Sequence, residues 1–311
     1  RHIILDNSAS SIATSGGTLT FSADNEGDGT GDFRVTDANA TITTAGGDVS
    51  IRGNDFRLDG TLDAGTGDVT LTVSDGGTIR VGAGSADMTI SVAELPRITA
   101  KDLIIGDATN GAVTVRGVTA AQTSNISNKV ILNSTSAAGD VTFITDASVF
   151  SPALEVNAGN DVILNVNVSS ASGGVVLNAN TDHLGGGVVN IGATLDTGGN
   201  DLTLTADDVT ISGAINAGAG SVILGTATAG TTIGLGGGAG SFQLTDAEAD
   251  SITASTLTVG ASTSGDVQVG DLSPANASTL VIRTGGSVTE TGDAAADITV
   301  SNLAIDSATG I

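Results

Sequence analysis

Short runs in which apolar and polar positions alternate recur along the whole chain. Gly47-Asp48-Val49-Ser50-Ile51, Gly67-Asp68-Val69-Thr70-Leu71-Thr72-Val73, Gly139-Asp140-Val141-Thr142-Phe143, Asn160-Asp161-Val162-Ile163-Leu164, Asn200-Asp201-Leu202-Thr203-Leu204 and Gly265-Asp266-Val267-Gln268-Val269 all follow it. A period of two places Val, Ile and Leu on one face and Thr and Ser on the other, the mark of a half-buried strand. Several neighbouring runs lie about 20 to 28 residues apart, the length of one coil in a repeat fold. Strands this short cannot bury a face alone. Stacked coil on coil, each gains a neighbour above and below, which satisfies its backbone groups and builds one aliphatic interior. The pattern predicts an all-β parallel β-solenoid of about 14 coils, a rod on the order of 65 to 70 Å long. An array of β-sandwiches is the competing architecture, but it wants large aromatic anchors and Asn-Gly hairpins, and Asn110-Gly111 is the one such pair.

A longer repeat overlies the coils. Gly46 to Leu71 maps onto Gly199 to Leu224 at a shift of 153, with about a third of positions identical. From Met88 to Val118 the shift is 154, pairing Ala93-Glu94 with Ala247-Glu248 and Ile98-Thr99-Ala100 with Ile252-Thr253-Ala254. Two continuous solenoid units are therefore expected, 1–155 and 156–311. Ser91-Val92-Ala93-Glu94 and Thr245-Asp246-Ala247-Glu248 both fit a capping box, which predicts a short helical turn once per duplicated unit.

Composition narrows the possibilities. The 311 residues include 45 Gly and 6 Phe but no Trp, Tyr or Cys, and they carry a formal charge of -24. Disulfides, thiolate metal sites and thiol nucleophiles are excluded outright. Such acidity argues against nucleic acid and anionic membranes as partners, since phosphates are bound by Lys and Arg. No apolar run reaches the length of a membrane span. The strand pattern is already running at Ile3 with no signal-peptide pattern before it, so the chain is expected to be an excerpt of a longer mature protein.

The phrases Leu244-Thr245-Asp246-Ala247-Glu248, Ile252-Thr253-Ala254, Leu257-Thr258-Val259-Gly260 and Gly265-Asp266-Val267 resemble the repeat arrays of filamentous-haemagglutinin-like bacterial exoproteins, and the resemblance covers nearly the whole chain. It implies a right-handed parallel β-helix displayed outside the cell, at the bacterial surface, as an adhesin. The Asn-Pro motifs of that family's secretion domain are absent, because Pro96, Pro152 and Pro274 follow Leu, Ser and Ser. The expected function is non-enzymatic: the structural or adhesive solenoid segment of a secreted surface protein, with host or matrix surface ligands as partners. A self-assembling extracellular fibre subunit, joined end to end to other copies or further repeats, is the first alternative. A carbohydrate-active enzyme is the second.

The enzyme reading rests on Asn180-Thr181-Asp182 followed by Asp207-Asp208, which resembles the carboxylate motifs of polygalacturonases. Their later Gly-His-Gly and Arg-Ile-Lys motifs have no counterpart, and Asp208 aligns with Asp55, so that acid belongs to the repeat. Arg34, Arg52, Arg57, Arg80, Arg97, Arg116 and Arg283 imply no lyase-type cluster when read along the chain, and His2 and His183 are the only imidazoles for a serine triad. Outward Thr pairs such as Thr70/Thr72, Thr203/Thr205 and Thr256/Thr258 do not recur in every coil as an ice-binding lattice requires, and a sugar platform would want Trp or Tyr. No catalytic residue is assigned. One metal candidate remains: Asp24, Glu26, Asp28 and Asp32 occupy positions one, three, five and nine of a loop with Gly29 at six, the first part of an EF-hand-type calcium loop, although Val35 stands where its bidentate Glu belongs. With 34 acidic against 10 basic side chains, melting temperature should rise with salt until screening is complete, above about 0.1 M. Calcium should raise it further than magnesium at matched ionic strength if that loop binds it. A melting temperature indifferent to salt would show that the acids do not repel one another.

Overall fold

The computed structural model describes residues 1–7, 10–292 and 296–311. Every described strand pairing is parallel, and the fold is a parallel β-solenoid. The chain divides into two compact units, Arg1–Asn157 and Ala158–Ile311, a boundary two residues beyond the expected one. No described helix is long and apolar enough to cross a membrane.

In the first unit each coil visits three sheets in turn. The strands Ile3–Leu5, Ser11–Ala13 and Leu19–Ser22 stack on Phe33–Val35, Thr41–Thr43 and Val49–Gly53 of the next coil, register for register. Inward positions on these sheets are aliphatic and closed to solvent: Ile42, Ile51, Leu58, Leu62, Leu71 and Val69 are all 0% exposed. Each such side chain contributes about 1.5–3 kcal/mol by leaving water. In-register stacking also sets like on like, so that the Phe33 and Phe56 rings lie 6.0 Å apart and 8° from parallel.

Hydroxyls and carboxylates finish the corners. Buried Thr44 donates to the Gly47 carbonyl, and its counterpart Thr197 donates to the Asn200 carbonyl. Acids at strand starts reach the next coil: Asp48 accepts from the Asp68 amide at 2.9 Å, Asp201 from Ser221 at 2.8 Å, Asp161 from Val188 at 2.8 Å and Asp266 from Ser287 at 2.8 Å. At these four of the six quoted runs the Gly/Asn-Asp beat of the sequence is therefore a coil-to-coil hydrogen bond.

Both units break the stack at one place. After Ile79–Gly82 the chain loops through 83–87 and lays Met88–Ile90 beside the strand it has just left, on the side facing Phe56–Leu58. In the second unit Phe242–Leu244 is laid back beside Ile233–Leu235 in the same way, facing Asp208–Ile211. Parallel neighbours normally need a long crossover. Here strands of three or four residues span only about 10–13 Å, a distance that a few extended residues can cover.

The helical turns lie close to their expected places. Thr245 caps the helix Asp246–Asp250 by accepting from the Glu248 amide at 3.3 Å, while the Glu248 carboxylate accepts from the Thr245 amide at 2.9 Å. In the first unit the turn is the 3-10 helix Leu95–Arg97, one residue past the box, and Glu94 accepts from the Ser91 amide at 2.7 Å. That unit also holds a second turn, Ala120–Thr123, which corrects the expectation of one per unit. Gln122 closes it by accepting from the Thr119 amide at 2.9 Å, the same device with an amide in place of the acid.

The doubled-back strands depend on glycine. Gly82 has φ +98° and a Cβ there would overlap the Arg116 carbonyl oxygen, while Gly236, its counterpart, has φ +56° and would overlap that of Asp271. Either Gly→Ala change should cost more than about 2 kcal/mol, combining left-handed strain with overpacking, in denaturant unfolding. A loss under about 0.5 kcal/mol would mean that the reversal adapts without glycine.

Candidate functional site

Between Phe56–Leu58 and Met88–Ile90 no backbone ladder is recorded, and the facing polar groups must be met otherwise. Two carboxylates do this. Asp55 accepts from the Thr89 amide at 2.9 Å, and Glu94 accepts from the Leu58 amide at 3.0 Å while its second oxygen holds Ser91. The second unit repeats the arrangement at Asp208–Ile211 and Phe242–Leu244. There Asp208 accepts from the Gln243 amide at 2.7 Å, Glu248 from the Ile211 amide at 3.0 Å and, with its other oxygen, from Thr245. The capping-box glutamate thus has two tasks, closing its own turn and sealing a seam 36 or 37 residues away. Burial pushes the Glu94 carboxyl above its ordinary pKa; the amides of Ser91 and Leu58 oppose this, and the Asp55 charge adds to the rise.

A cleft of about 300 Å³ opens over the first unit's seam, lined by Asp55, Arg57, Asp59, Ser91, Glu94 and Arg97 among others. Arg57 donates twice to Asp59, through Nε at 3.0 Å and Nη2 at 2.7 Å. Arg97 is held through Nε to the Ala93 carbonyl at 3.0 Å and through Nη1 to the Asp59 carbonyl. Arg34 stands in register with Arg57 on the neighbouring strand, and Arg80 occupies the outward position of the same side beyond Thr89. Four of the arginines that form no cluster along the sequence, Arg34, Arg57, Arg80 and Arg97, thus share one side of the first unit. Their sequence signal is the triplet of Arg between apolar residues, Phe33-Arg34-Val35, Phe56-Arg57-Leu58 and Ile79-Arg80-Val81. In the second unit the residues at the strand positions of Arg34, Arg57 and Arg80 are Asn190, Thr210 and Gly234, without charge.

The acidic loop is organised around its own backbone. Asp24 is 1% exposed, and its carboxylate accepts from the Ser74 hydroxyl at 2.6 Å, the Gly29 amide at 3.0 Å and the Asp28 amide at 3.1 Å. Led by the Ser74 hydroxyl, these donors outweigh burial and hold its pKa far below the ordinary carboxyl range. Glu26 lies 3.2 Å from the Arg1 amino group, Asp28 accepts from the Thr30 hydroxyl at 2.6 Å, and Asp32 pairs with Arg34 while its amide donates to His2 Nδ1 at 3.0 Å. Asp24 and Asp28 thus share one network while Glu26 and Asp32 bond elsewhere, and among the described residues no group of three or more His, Asp or Glu is arranged to hold a metal ion.

The polygalacturonase-like acids are also bound to backbone. Asp182 accepts from the Leu184 amide at 3.0 Å; Asp207 accepts from Gly186 at 2.7 Å and Thr228 at 3.1 Å; and Asp208 belongs to the seam. His183, with φ +55°, lines a separate cavity of about 210 Å³ with Asn180 and Thr181. The Thr pairs are interrupted, since Thr203 faces Ile223, and Thr258 stands between Ile223 and Val281. Compared with known proteins, the chain matches no family model, no curated protein and no solved structure.

Replacing Glu94 or Glu248 by Ala leaves two amides without their acceptors and should cost about 2–4 kcal/mol in either unit, measured by denaturant unfolding. A loss below about 0.5 kcal/mol in both would show that the seam is not held by these carboxylates. The pH response of Asp24 has the opposite sign to that of Glu94. Its lowered pKa stabilises the folded state above the ordinary carboxyl range, and this stability is lost as pH falls toward the folded value, whereas the contribution of Glu94 weakens as pH rises through its own. Ser74→Ala should therefore flatten the acid limb of a stability-versus-pH curve. An unchanged acid limb would remove Asp24 from the account.

Proposed function

We propose that the chain is a non-enzymatic, structural and adhesive solenoid segment of a secreted bacterial surface protein, acting outside the cell. The supporting observation is the use made of its acids. The carboxylates that the sequence offered for catalysis accept backbone amides, and the Asp55/Glu94 arrangement recurs as Asp208/Glu248. A group employed in the same way in both copies to close a gap in the hydrogen bonding supports a scaffold role, since the task recurs where the surrounding side chains differ. A second reading, a self-assembling fibre subunit, is favoured by the ladder itself, because parallel strands stacked register for register can be continued by a further copy.

Two measurements test the proposal. Pectin-like and other acidic polysaccharides should show no turnover, and beads coated with the chain should adhere to an extracellular matrix. Turnover that disappears in Asp182→Asn or Asp208→Asn would establish an enzyme instead. Electron microscopy of the purified chain separates discrete short particles, expected here, from the filaments of the fibre reading.

A further inference from the structure

The two seams form an internal comparison, because the fold builds the same joint twice with different side chains around it. Asp55, Leu58, Ser91 and Glu94 in the first unit correspond to Asp208, Ile211, Thr245 and Glu248 in the second, and their hydrogen bonds match pair for pair. Arg57 and Arg97 correspond to Thr210 and Ser251. The second seam closes with a hydroxyl at both positions, so two guanidinium groups are not a requirement of the joint. Each arginine is fixed along part of its guanidinium, Arg57 on Asp59 and Arg97 on two carbonyls, and each retains one terminal nitrogen, Nη1 of Arg57 and Nη2 of Arg97, with no recorded protein bond.

We propose that this cleft is a binding site for a sugar acid, one uronate residue of an acidic polysaccharide. Two anchored guanidinium groups suit a single carboxylate, which accepts hydrogen bonds on both oxygens. Ring hydroxyls have acceptors beside them: the Ser91 hydroxyl, which donates to Glu94, can still accept, and so can the second oxygen of Asp55. The volume of about 300 Å³ lies at the lower end of small-ligand pockets and suits one ring better than a long segment buried whole. Three carboxylates line the same cleft: Asp59 is paired with Arg57, and the first oxygen of Asp55 and both oxygens of Glu94 are bonded to amides, which offsets part of their repulsion of an anion. The inference rests on the adhesive reading and deepens it by naming the ligand class and its place.

The second seam supplies the variants, Arg57→Thr and Arg97→Ser, each introducing the residue that the other unit uses. Titration calorimetry with oligogalacturonate should show binding to the unaltered chain that weakens at least tenfold in either variant, with melting temperature unchanged within about two degrees. The neutral galactose oligomer should bind far more weakly. Equal binding by the unaltered chain and both variants, equal binding of the neutral oligomer, no binding at all, or full competition by acetate alone would each overturn the site. Bead adhesion to matrix run in parallel separates the two readings: adhesion that persists in both variants removes this site and leaves the adhesive function standing, while loss of all adhesion by the unaltered chain removes that function.

Discussion

The backbone hydrogen bond between stacked parallel strands governs this molecule. Strands of three to nine residues with few aromatic side chains have little to gain alone, and each becomes stable when its amides and carbonyls meet those of the next coil. Side-chain choices follow from that ladder. Small β-branched and aliphatic residues fill most of the interior, hydroxyls satisfy carbonyls at buried corners, and carboxylates at strand starts accept amides that the ladder leaves over. An acidic composition is compatible with close stacking because many of the acids receive backbone dipoles from the neighbouring coil.

The seam shows what happens when the ladder is interrupted. A strand laid back out of order leaves two backbones facing each other without a recorded pairing, and in each unit an aspartate and a glutamate bridge them. Glu94 accepts this position at a cost visible in its raised pKa. The same interruption leaves room for a cleft, so the departure from regularity and the candidate site share one origin.

Much of the architecture was legible from periodicity. The alternation in Val69-Thr70-Leu71-Thr72-Val73 gave both the strand and its inward face, and the 153- and 154-residue shifts anticipated paired features such as Thr44 with Thr197 and Gly82 with Gly236. The doubled-back strand was not legible, because Met88-Thr89-Ile90 alternates like any other strand and nothing local shows which neighbour it joins. The second task of Glu94 was hidden for the same reason, since its partner Leu58 is 36 residues away. The acidic loop shows what spacing alone leaves out. The spacing of Asp24, Glu26, Asp28 and Asp32 suggested a shared cation, and the fold shows in addition that those side chains bond to Ser74, Arg1, Thr30 and Arg34, partners that loop spacing does not specify.

The doubled-back strand also bears on the order in which the chain can assemble. Where coils stack in the order of synthesis, a solenoid can grow like a coiled rope, each turn laid on the last. Met88–Ile90 comes later in the chain than Ile79–Gly82 yet lies between it and Phe56–Leu58, so the earlier strand must take its place with a slot beneath it still empty. Growth halts there until the slot is filled. In reverse, a pull on the end of the chain that peels coils singly would reach a strand wedged beneath its predecessor, and the seam would act as a ratchet pawl in the unwinding of each unit.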